Sequence, residues 1–292
     1  MKSDDIAHLT LLSLFEGGNE FWSAAYLEFG ASELISRIAD GKYRDHKKSG
    51  SAIIEKLSGI DGNSLAAQCA EVGAFLISRN DSDWPERLDD LKAPPFALLG
   101  LGNRAVLENI DQSLSIVGTR NPTEYGVRVA GDFAAGAVDR GWSVVSGGAI
   151  GIDSAAHRGA IAAEGETIAI LGCGFKALYP SGNDRLFKEI AETGLLISEV
   201  LPSVHAIPAR FLIRNRLIAA ISRATVVVEA AYRSGSLRTA REAAEIFRPV
   251  MAIPGPITSP TSEGCHRLIG ERTAELVTGI ADFMELVTPI TS

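Results

Sequence analysis

Cysteine is scarce in this chain. Its 292 residues include three cysteines, which are widely separated as Cys69, Cys173 and Cys265. An odd number of scattered cysteines argues against a disulfide framework, and none of them has the spacing of a zinc site. We therefore expect a reducing, cytoplasmic compartment and no structural metal.

Long hydrophobic runs and a secretion signal are also missing. No apolar run is long enough to span a bilayer, and the first residues, Met1-Lys2-Ser3-Asp4-Asp5, lack the basic start of a signal peptide. Hydrophobic residues make up 46% of the chain, which is typical of a globular protein with a substantial core. We expect no association with membranes.

An excess of positive charge is missing as well. The formal net charge is -8, which argues against a generically basic nucleic-acid binder. Residues 1–110 carry 11 basic and 17 acidic residues, whereas residues 111–292 carry 17 and 19, and 15 of those 17 basic residues are arginine. From residue 210 to residue 241 there are seven arginines and one acid, Glu229. Arginine suits forked contacts to phosphate, although we expect about half of these arginines to cap helices or pair with acids.

Two motifs of nucleotide-binding enzymes are absent. No Gly-x-Gly-x-x-Gly run is followed by an acid at the end of a second strand, which disfavours an NAD site, and no Walker A lysine is present. We expect no cofactor.

What is present is a repeated strand, turn and helix pattern within residues 115–152. Two β-branched runs each end in a glycine turn, and a helical pattern follows each turn. Further apolar runs without alternation indicate strands buried on both faces. Strands are predicted at 114–117, 143–146, 167–171, 195–198, 225–229 and 250–253. Helices are predicted at 125–140, 152–164, 183–193, 212–222, 236–247, 264–276 and 280–287. The sequence thus predicts an α/β fold with a Rossmann-like, doubly wound, mostly parallel sheet.

The chain divides into three predicted parts. Residues 1–72 form a small helical N-terminal module (SAM-like) that has a helical stripe from Ile6 to Phe15, further helices at 19–29 and 32–39, a polar loop at 40–50, and one or two more helices at 51–72. Residues 73–110 form a connecting α/β extension of the sheet, and residues 111–292 form the Rossmann-like domain. No C-terminal winged helix is expected.

The glycine turns predict a phosphate-binding edge. Parallel strands end at one edge of the sheet, where glycines admit close approach of backbone N–H groups and helix N-termini add positive charge. Arginines in the first turn of a helix at 212–222 would be misplaced unless an anion is bound there. The candidate contacts to DNA or phosphate are Gly118, Thr119, Arg120, Ser146, Gly147, Gly148, Lys176, Arg214, Asn215, Arg216, Ser234, Gly235 and Arg238.

Three further sets of side chains have alternative interpretations. Phe175 and Tyr179 either offer flat faces for base stacking or pack inside their loop, with equal weight for each. Asp153 and His157 share a helix face and form either an acid–base pair or, as we favour, a helix cap and a buried histidine. Glu229 binds either a ribose or, more commonly for such a residue, an arginine.

Several ordered motifs make the chain resemble the DprA (Smf) family of DNA-processing proteins. The matching strings include Ile116-Val117-Gly118-Thr119-Arg120, Ser146-Gly147-Gly148-Ala149, Tyr179-Pro180, Arg214-Asn215-Arg216 and Ser234-Gly235-Ser236-Leu237. The resemblance implies a non-enzymatic protein that binds single-stranded DNA, protects incoming DNA during natural transformation, loads the RecA recombinase and forms a homodimer. It also implies that Arg120, Lys176, Arg214 and Arg216 line the DNA pocket. The chain departs from the family at Leu212, where proline is usual, and at Arg238, where an aliphatic residue is usual.

The alternative function is nucleotide-derivative binding or phosphoribohydrolase activity. Phosphoribohydrolases of the LOG family have a similar fold and show a Pro-Gly-Gly-x-Gly-Thr segment with a following Glu. Residues 233–239 of this chain lack that run. The DNA-binding function is therefore preferred.

Overall fold

The computed structural model of the chain describes residues 3–45 and 50–288. The predicted polar loop at 40–50 falls partly on residues 46–49, which lie outside the described residues. None of the helices in the described part of the chain is both long enough and apolar enough to cross a bilayer.

The chain begins with four helices, whereas the sequence predicts three short helices before residue 40 and one or two after residue 50. The four helices are α1 (Ser3–Leu14), α2 (Glu20–Ala39), α3 (Gly50–Ser58) and α4 (Gly62–Glu71). Asn19 caps α2 by accepting a hydrogen bond from the Trp22 amide at 3.2 Å. Gly30, with φ of +74°, interrupts α2 at the glycine where two separate helices are predicted.

An antiparallel extension of the sheet follows. It contains β1 (Phe75–Ile77), a 3-10 helix (Glu86–Asp90), β2 (Leu98–Gly102) and a second 3-10 helix (Arg104–Asn109).

Alternating strands and helices make up the rest of the chain. The strands are β3 (Ser113–Val117), β4 (Ser143–Ser146), β5 (Thr167–Leu171), β6 (Leu195–Ser198), β7 (Ala224–Val227), β8 (Val250–Ala252) and β9 (Glu275–Leu276). The helices are α5 (Glu124–Val138), α6 (Ile152–Ala162), α7 (Asp184–Thr193), α8 (Pro208–Ile221), α9 (Gly235–Glu245), α10 (Glu263–Gly270) and α11 (Ile280–Val287). The predicted helix at 264–276 is too long, because α10 ends at Gly270 and β9 follows.

All nine of these strands join one sheet in the order β1-β2-β6-β5-β4-β3-β7-β8-β9. The strands from β3 onward pair in parallel, whereas β2 is antiparallel to β6 and β1 is antiparallel to β2. The prediction of a mostly parallel α/β sheet is confirmed. The chain runs from β3 to β6 on one side and then returns to place β7 on the other side of β3, so β3 and β7 flank the switch point where such sheets bind ligands.

Helices cover both faces of the sheet, which explains its apolar strands. Leu114, Ile116, Ile170 and Val226 are fully buried. One apolar cluster joins the first helices to the sheet and includes Trp22, Leu34, Phe96, Leu171 and Phe187. The N-terminal helices therefore share a core with the sheet, and the division of the chain into domains stays a prediction.

Candidate functional site

A cleft opens at the switch point, beyond the carboxyl ends of β3 and β7. Its volume is about 340 Å³, and a smaller pocket of about 40 Å³ adjoins it. Both are lined by Arg120, Ala149, Phe211 and Arg214. We call the two together the carboxyl-end cleft. It lies at the edge where the glycine turns predict a ligand.

The turn after β3 is held rigidly and presents one cation. The Thr119 amide donates to the Glu229 carbonyl oxygen at 2.7 Å, and the Thr119 carbonyl oxygen accepts from the Ile152 amide at 3.2 Å. Any side chain at Gly118 would come within 2.8 Å of that same Glu229 oxygen. Arg120 is exposed, its guanidinium lies 5.5 Å from the centre of the Phe211 ring, and no ion pair among the described residues includes it. Arg120 is therefore a cation available to an anionic ligand.

The loop after β4 differs from the predicted phosphate cradle. The amides of Gly147 and Ala149 donate to the Asp153 carboxylate at 3.1 and 3.3 Å. The Ser146 hydroxyl donates to the Ile116 carbonyl oxygen at 2.6 Å, and the Gly148 carbonyl oxygen accepts from Asn183 at 2.9 Å. The Asp153 carboxylate thus occupies the Gly147 amide, which was expected to bind phosphate, together with the Ala149 amide.

Asp153 and His157 are both buried, but the favoured helix cap is wrong, because Gly151 is the N-cap of α6 and no side chain caps that helix. Asp153 is buried and secures the preceding loop, and burial raises the pKa of its carboxyl group. His157 is fully buried with Nδ1 2.7 Å from the Thr167 hydroxyl, and burial lowers its pKa to about 3. The two side chains bind different partners, which does not support an acid–base pair.

Arg214 lies at the floor of the cleft and faces inward. Helix α8 begins at Pro208, so the argument that Arg214 and Arg216 occupy a first helical turn is wrong. Arg214 is 6% exposed, and its Nη1 donates to the carbonyl oxygens of Gly147, at 2.7 Å, and Ile170. Burial lowers the pKa of Arg214 to about 10. Arg214 is therefore a partly desolvated cation whose hydrogen bonds support the floor of the cleft.

Arg216 does not line the cleft. Its Nη2 donates to both carboxylate oxygens of Glu199, at 2.5 and 2.6 Å, and both side chains are buried. Burial raises the pKa of Glu199, and Arg216 partly offsets that rise. The prediction that Arg216 contacts DNA phosphate needs correction, because the residue forms an internal ion pair. Neighbouring Asn215 does line the cleft and donates to the Gly235 carbonyl oxygen at 3.3 Å.

The N-terminus of α9 forms another wall of the cleft. Ser234, Gly235, Ser236 and Thr239 line it, and the Ser234 hydroxyl caps the helix by accepting from the Ser236 amide at 3.4 Å. Arg238 is not among the lining residues, and it pairs with Glu242 at 2.8 Å.

Lys176, in the loop after β5, also stays outside the cleft. Its ammonium pairs with Glu71 of α4 at 2.5 Å. The structure thus brings Arg120, Arg214 and Asn215 together and leaves Lys176, Arg216 and Arg238 bound to carboxylates.

The aromatic side chains divide between core and cleft. Phe175 is 7% exposed and packs in an apolar cluster with Phe187, which supports the packing alternative for this ring. Tyr179 is 46% exposed and lines the cleft, with its ring centre 5.4 Å from that of Phe211. Sequence reasoning assigned no role to Phe211, although its position three residues before Arg214 places both on one face of α8. The cleft therefore combines two rings with the Arg120 charge.

Glu229 has a different role from either prediction. Its carboxylate accepts from the Thr123 amide at 2.9 Å, the Thr123 hydroxyl at 2.7 Å and the Thr261 hydroxyl at 2.9 Å. It secures the start of α5 rather than an arginine, and a ribose would have to displace these bonds.

The expectation that about half of the seven arginines pair with acids is confirmed. Four of them do so, in the pairs Arg210–Glu16, Arg216–Glu199, Arg238–Glu242 and Arg241–Glu271. Within residues 3–45 and 50–288, no three His, Cys, Asp or Glu side chains are grouped so that they could hold a metal ion.

Comparison with known proteins identifies relatives of the chain. The family model described as DNA recombination-mediator protein A matches residues 75–288. A Mycobacterium tuberculosis chain described as a DNA processing protein DprA is 45% identical over 226 residues, which are 74% of this chain and 58% of that one. DNA processing protein DprA of Streptococcus pneumoniae is 36% identical over 79% of this chain and 80% of its own. The match thus spans less than two thirds of the length of the mycobacterial relative.

Solved structures of DNA processing protein A from two bacteria also match the chain. DNA processing protein A from Streptococcus pneumoniae matches with a TM-score of 0.85 and 31% identity, over 99% of each chain. DNA processing protein A from Helicobacter pylori matches with a TM-score of 0.66 and 30% identity, over 73% of this chain and 94% of that one. The Helicobacter pylori protein has a unique single-stranded DNA binding mode.

Proposed function

The chain belongs to the DNA recombination-mediator protein A family, and we propose that it binds single-stranded DNA in the carboxyl-end cleft. We further propose that it protects incoming DNA in natural transformation, loads RecA onto it, acts as a cytoplasmic homodimer and has no catalytic activity. These finer properties are supported by the family relationship alone.

One observation carries the DNA-binding proposal. Arg120 is exposed without a carboxylate partner among the described residues, and it lies beside Phe211 and Tyr179. A cation neutralises a backbone phosphate, and an exposed ring offers a stacking surface for a base of any sequence. Such a site needs a strand whose bases are unpaired, which favours single-stranded DNA over a duplex.

The other positive charges around the cleft support the same proposal. The Arg214 guanidinium donates hydrogen bonds to backbone carbonyl oxygens. No carboxylate in the described part of the chain forms an ion pair with it. The α9 N-terminus adds partial positive charge to the same cleft. The local field therefore favours an anion despite the acidic whole chain.

Fluorescence anisotropy with a labelled single strand and its matched duplex tests this proposal. We expect tighter binding to the single strand, and we expect Arg120→Ala to weaken it about tenfold. Arg140→Ala is the matched control, because Arg140 is also exposed but follows the far end of α5. Arg214 and Arg216 are poor test positions, since removing either buried side chain also threatens the fold.

Absence of DNA binding at low salt, or equal weakening by both variants, would contradict the proposal. Release of a free base from a nucleoside monophosphate would instead support the alternative phosphoribohydrolase activity. RecA loading is tested by the rate of RecA assembly on single-stranded DNA with and without the protein, and the homodimer by sedimentation equilibrium.

A further inference from the structure

Two ion pairs join the N-terminal helices to the edge of the sheet that carries the cleft. Arg210, in the first turn of α8, is held by both carboxylate oxygens of Glu16 at 2.5 and 3.0 Å. Lys176, in the loop after β5, is held by Glu71 at 2.5 Å. Both acids belong to the first 72 residues, whereas the two cations belong to a helix and a loop that follow strands of the sheet.

These cations lie next to the proposed DNA path. Arg210 immediately precedes Phe211, one of the rings of the cleft. A small pocket is lined by Glu16 in the turn after α1, by Arg210 and by Arg214, which also lines the cleft. Lys176 lies three residues before Tyr179, whose ring centre is 5.4 Å from that of Phe211. A strand that extends past these rings would therefore approach cations that carboxylates already neutralise.

Neither acid is needed to hold the helices in place. Trp22, Leu34 and Phe96 join the helices to the sheet through an apolar cluster, and the Ser23 hydroxyl donates to the Pro94 carbonyl oxygen at 2.9 Å. The side chains of Glu16 and Glu71 are 54% and 64% exposed. Partly exposed ion pairs contribute little to stability and are screened by salt. Other acceptors can therefore displace these carboxylates without undocking the helices.

We propose that Glu16 and Glu71 are phosphate mimics that mask Arg210 and Lys176 and so weaken DNA binding by keeping both cations from the strand. Carboxylate and phosphate make the same forked, charge-assisted contacts to arginine, so the two compete directly. This regulation rests on the proposed function of the cleft. It assigns to the acidic N-terminal helices an autoinhibitory role that acts through two contacts.

The test compares two double variants of the full chain that carry the same net charge. Glu16→Gln with Glu71→Gln removes the mask. Glu28→Gln with Glu55→Gln is the control, because Glu28 in α2 and Glu55 in α3 are exposed in the same N-terminal region and belong to no ion pair among the described residues. Affinity for a labelled single strand is measured across a salt series for both.

We expect the unmasked variant to bind about tenfold more tightly at low salt. The slope of the logarithm of the association constant against the logarithm of the salt concentration should be steeper by about 1.4, because two more phosphates are neutralised. The control should change affinity less than about twofold and keep the wild-type slope. Equal affinity and slope in both variants and the wild type would overturn the masking proposal while leaving DNA binding intact. Failure of every protein to bind the single strand would overturn both proposals.

Substitution of Arg210 distinguishes unmasking of this cation from a general loosening of the fold as the cause of tighter binding. Arg210→Gln alone should have little effect, because Glu16 already neutralises that cation. Added to Glu16→Gln, Arg210→Gln should abolish the gain in affinity from Glu16→Gln. If the gain persists without Arg210, it does not arise from unmasking this residue and the proposal fails for this pair.

Discussion

Two polar concavities at opposite edges of the sheet differ in how their arginines are neutralised. One is the carboxyl-end cleft. The other, with a volume of about 1000 Å³, lies before the amino ends of β3 and β8, and we call it the amino-end pocket. Its lining includes Arg87, Arg104 and Arg248. The larger concavity would be the first choice by size alone.

In the amino-end pocket each of these arginines has a carboxylate partner. Arg87 pairs with Asp111 at 2.7 Å, Arg104 pairs with Asp83 at 2.6 Å, and Arg248 pairs with Asp90. In the cleft, Arg120 has no such partner among the described residues, and Asp153, the acid that lines it, is taken by two backbone amides. The comparison teaches that the charge left without a partner, rather than the volume, is what favours the carboxyl-end cleft as the proposed anion site.

The largest expected effect concerns the ion pair beneath the cleft. Glu199→Ala leaves Arg216 charged, buried and unpaired, and should lower the free energy of unfolding by about 3–5 kcal/mol. Urea denaturation measures the loss. Asp111→Ala in the amino-end pocket, where Asp111 is 77% exposed, should cost at most about 1 kcal/mol. Similar losses of unfolding free energy in the two variants would contradict the difference between a buried ion pair beneath the cleft and an exposed one in the amino-end pocket.

The second effect concerns the exposed ring of the cleft. Tyr179→Ala should weaken single-strand binding by about 1–3 kcal/mol, because one base loses its stacking partner. Tyr232→Ala is the control, since Tyr232 is 52% exposed and does not line the cleft. Fluorescence anisotropy titrations compare the affinities of both variants for single-stranded DNA. Unchanged binding by Tyr179→Ala would exclude stacking on this ring.

The third effect is a pH dependence that arises from the buried histidine. His157 has a pKa of about 3 in the folded protein, below its ordinary value of 6.5, so the unfolded state binds the proton more readily. Its contribution to stability is fully present above pH 6.5 and falls by about 1.4 kcal/mol for each pH unit below that, down to the folded pKa. His157→Gln should make urea stability less dependent on pH between about 6.5 and about 5. An unchanged pH dependence would mean that His157 titrates normally.

The smallest effect is expected in the amino-end pocket itself. Arg104→Ala removes a partly exposed cation that Asp83 and Asp81 already neutralise, so it should cost about 1 kcal/mol of stability or less. Affinity for single-stranded DNA should not change. A clear loss of affinity in this variant would move the binding surface toward this pocket.

Much of the fold could be predicted because buried parallel strands leave a distinctive pattern. The runs ending at Val117, Ser146 and Leu171 are β-branched and followed by turns, and the structure places strands there. Strand β9 could not be predicted, because two exposed residues after α10 carry no periodic signal. The position of β7 beside β3 is a tertiary arrangement that no local pattern encodes.

The site was less predictable, because residue type does not reveal burial or pairing. Arg120 and Arg216 look alike in sequence, yet one is exposed and the other is bound to Glu199 from a distant loop. Phe175 follows the glycine turn after β5 and Phe211 lies near the start of α8, yet only Phe211 lines the cleft. The start of α8 at Pro208 was the missed local signal, since proline suits the first helical position.

The most direct test of uncompensated charge compares Arg120→Ala with Arg87→Ala in single-strand binding across a salt series. Arg120→Ala should make the dependence of log K on log salt shallower by about 0.7, the value for one phosphate contact on a single strand. Arg87→Ala should leave the slope unchanged, because Asp111 already neutralises that cation. A reduced slope for Arg87→Ala with none for Arg120→Ala would contradict the assignment of the DNA site to the carboxyl-end cleft.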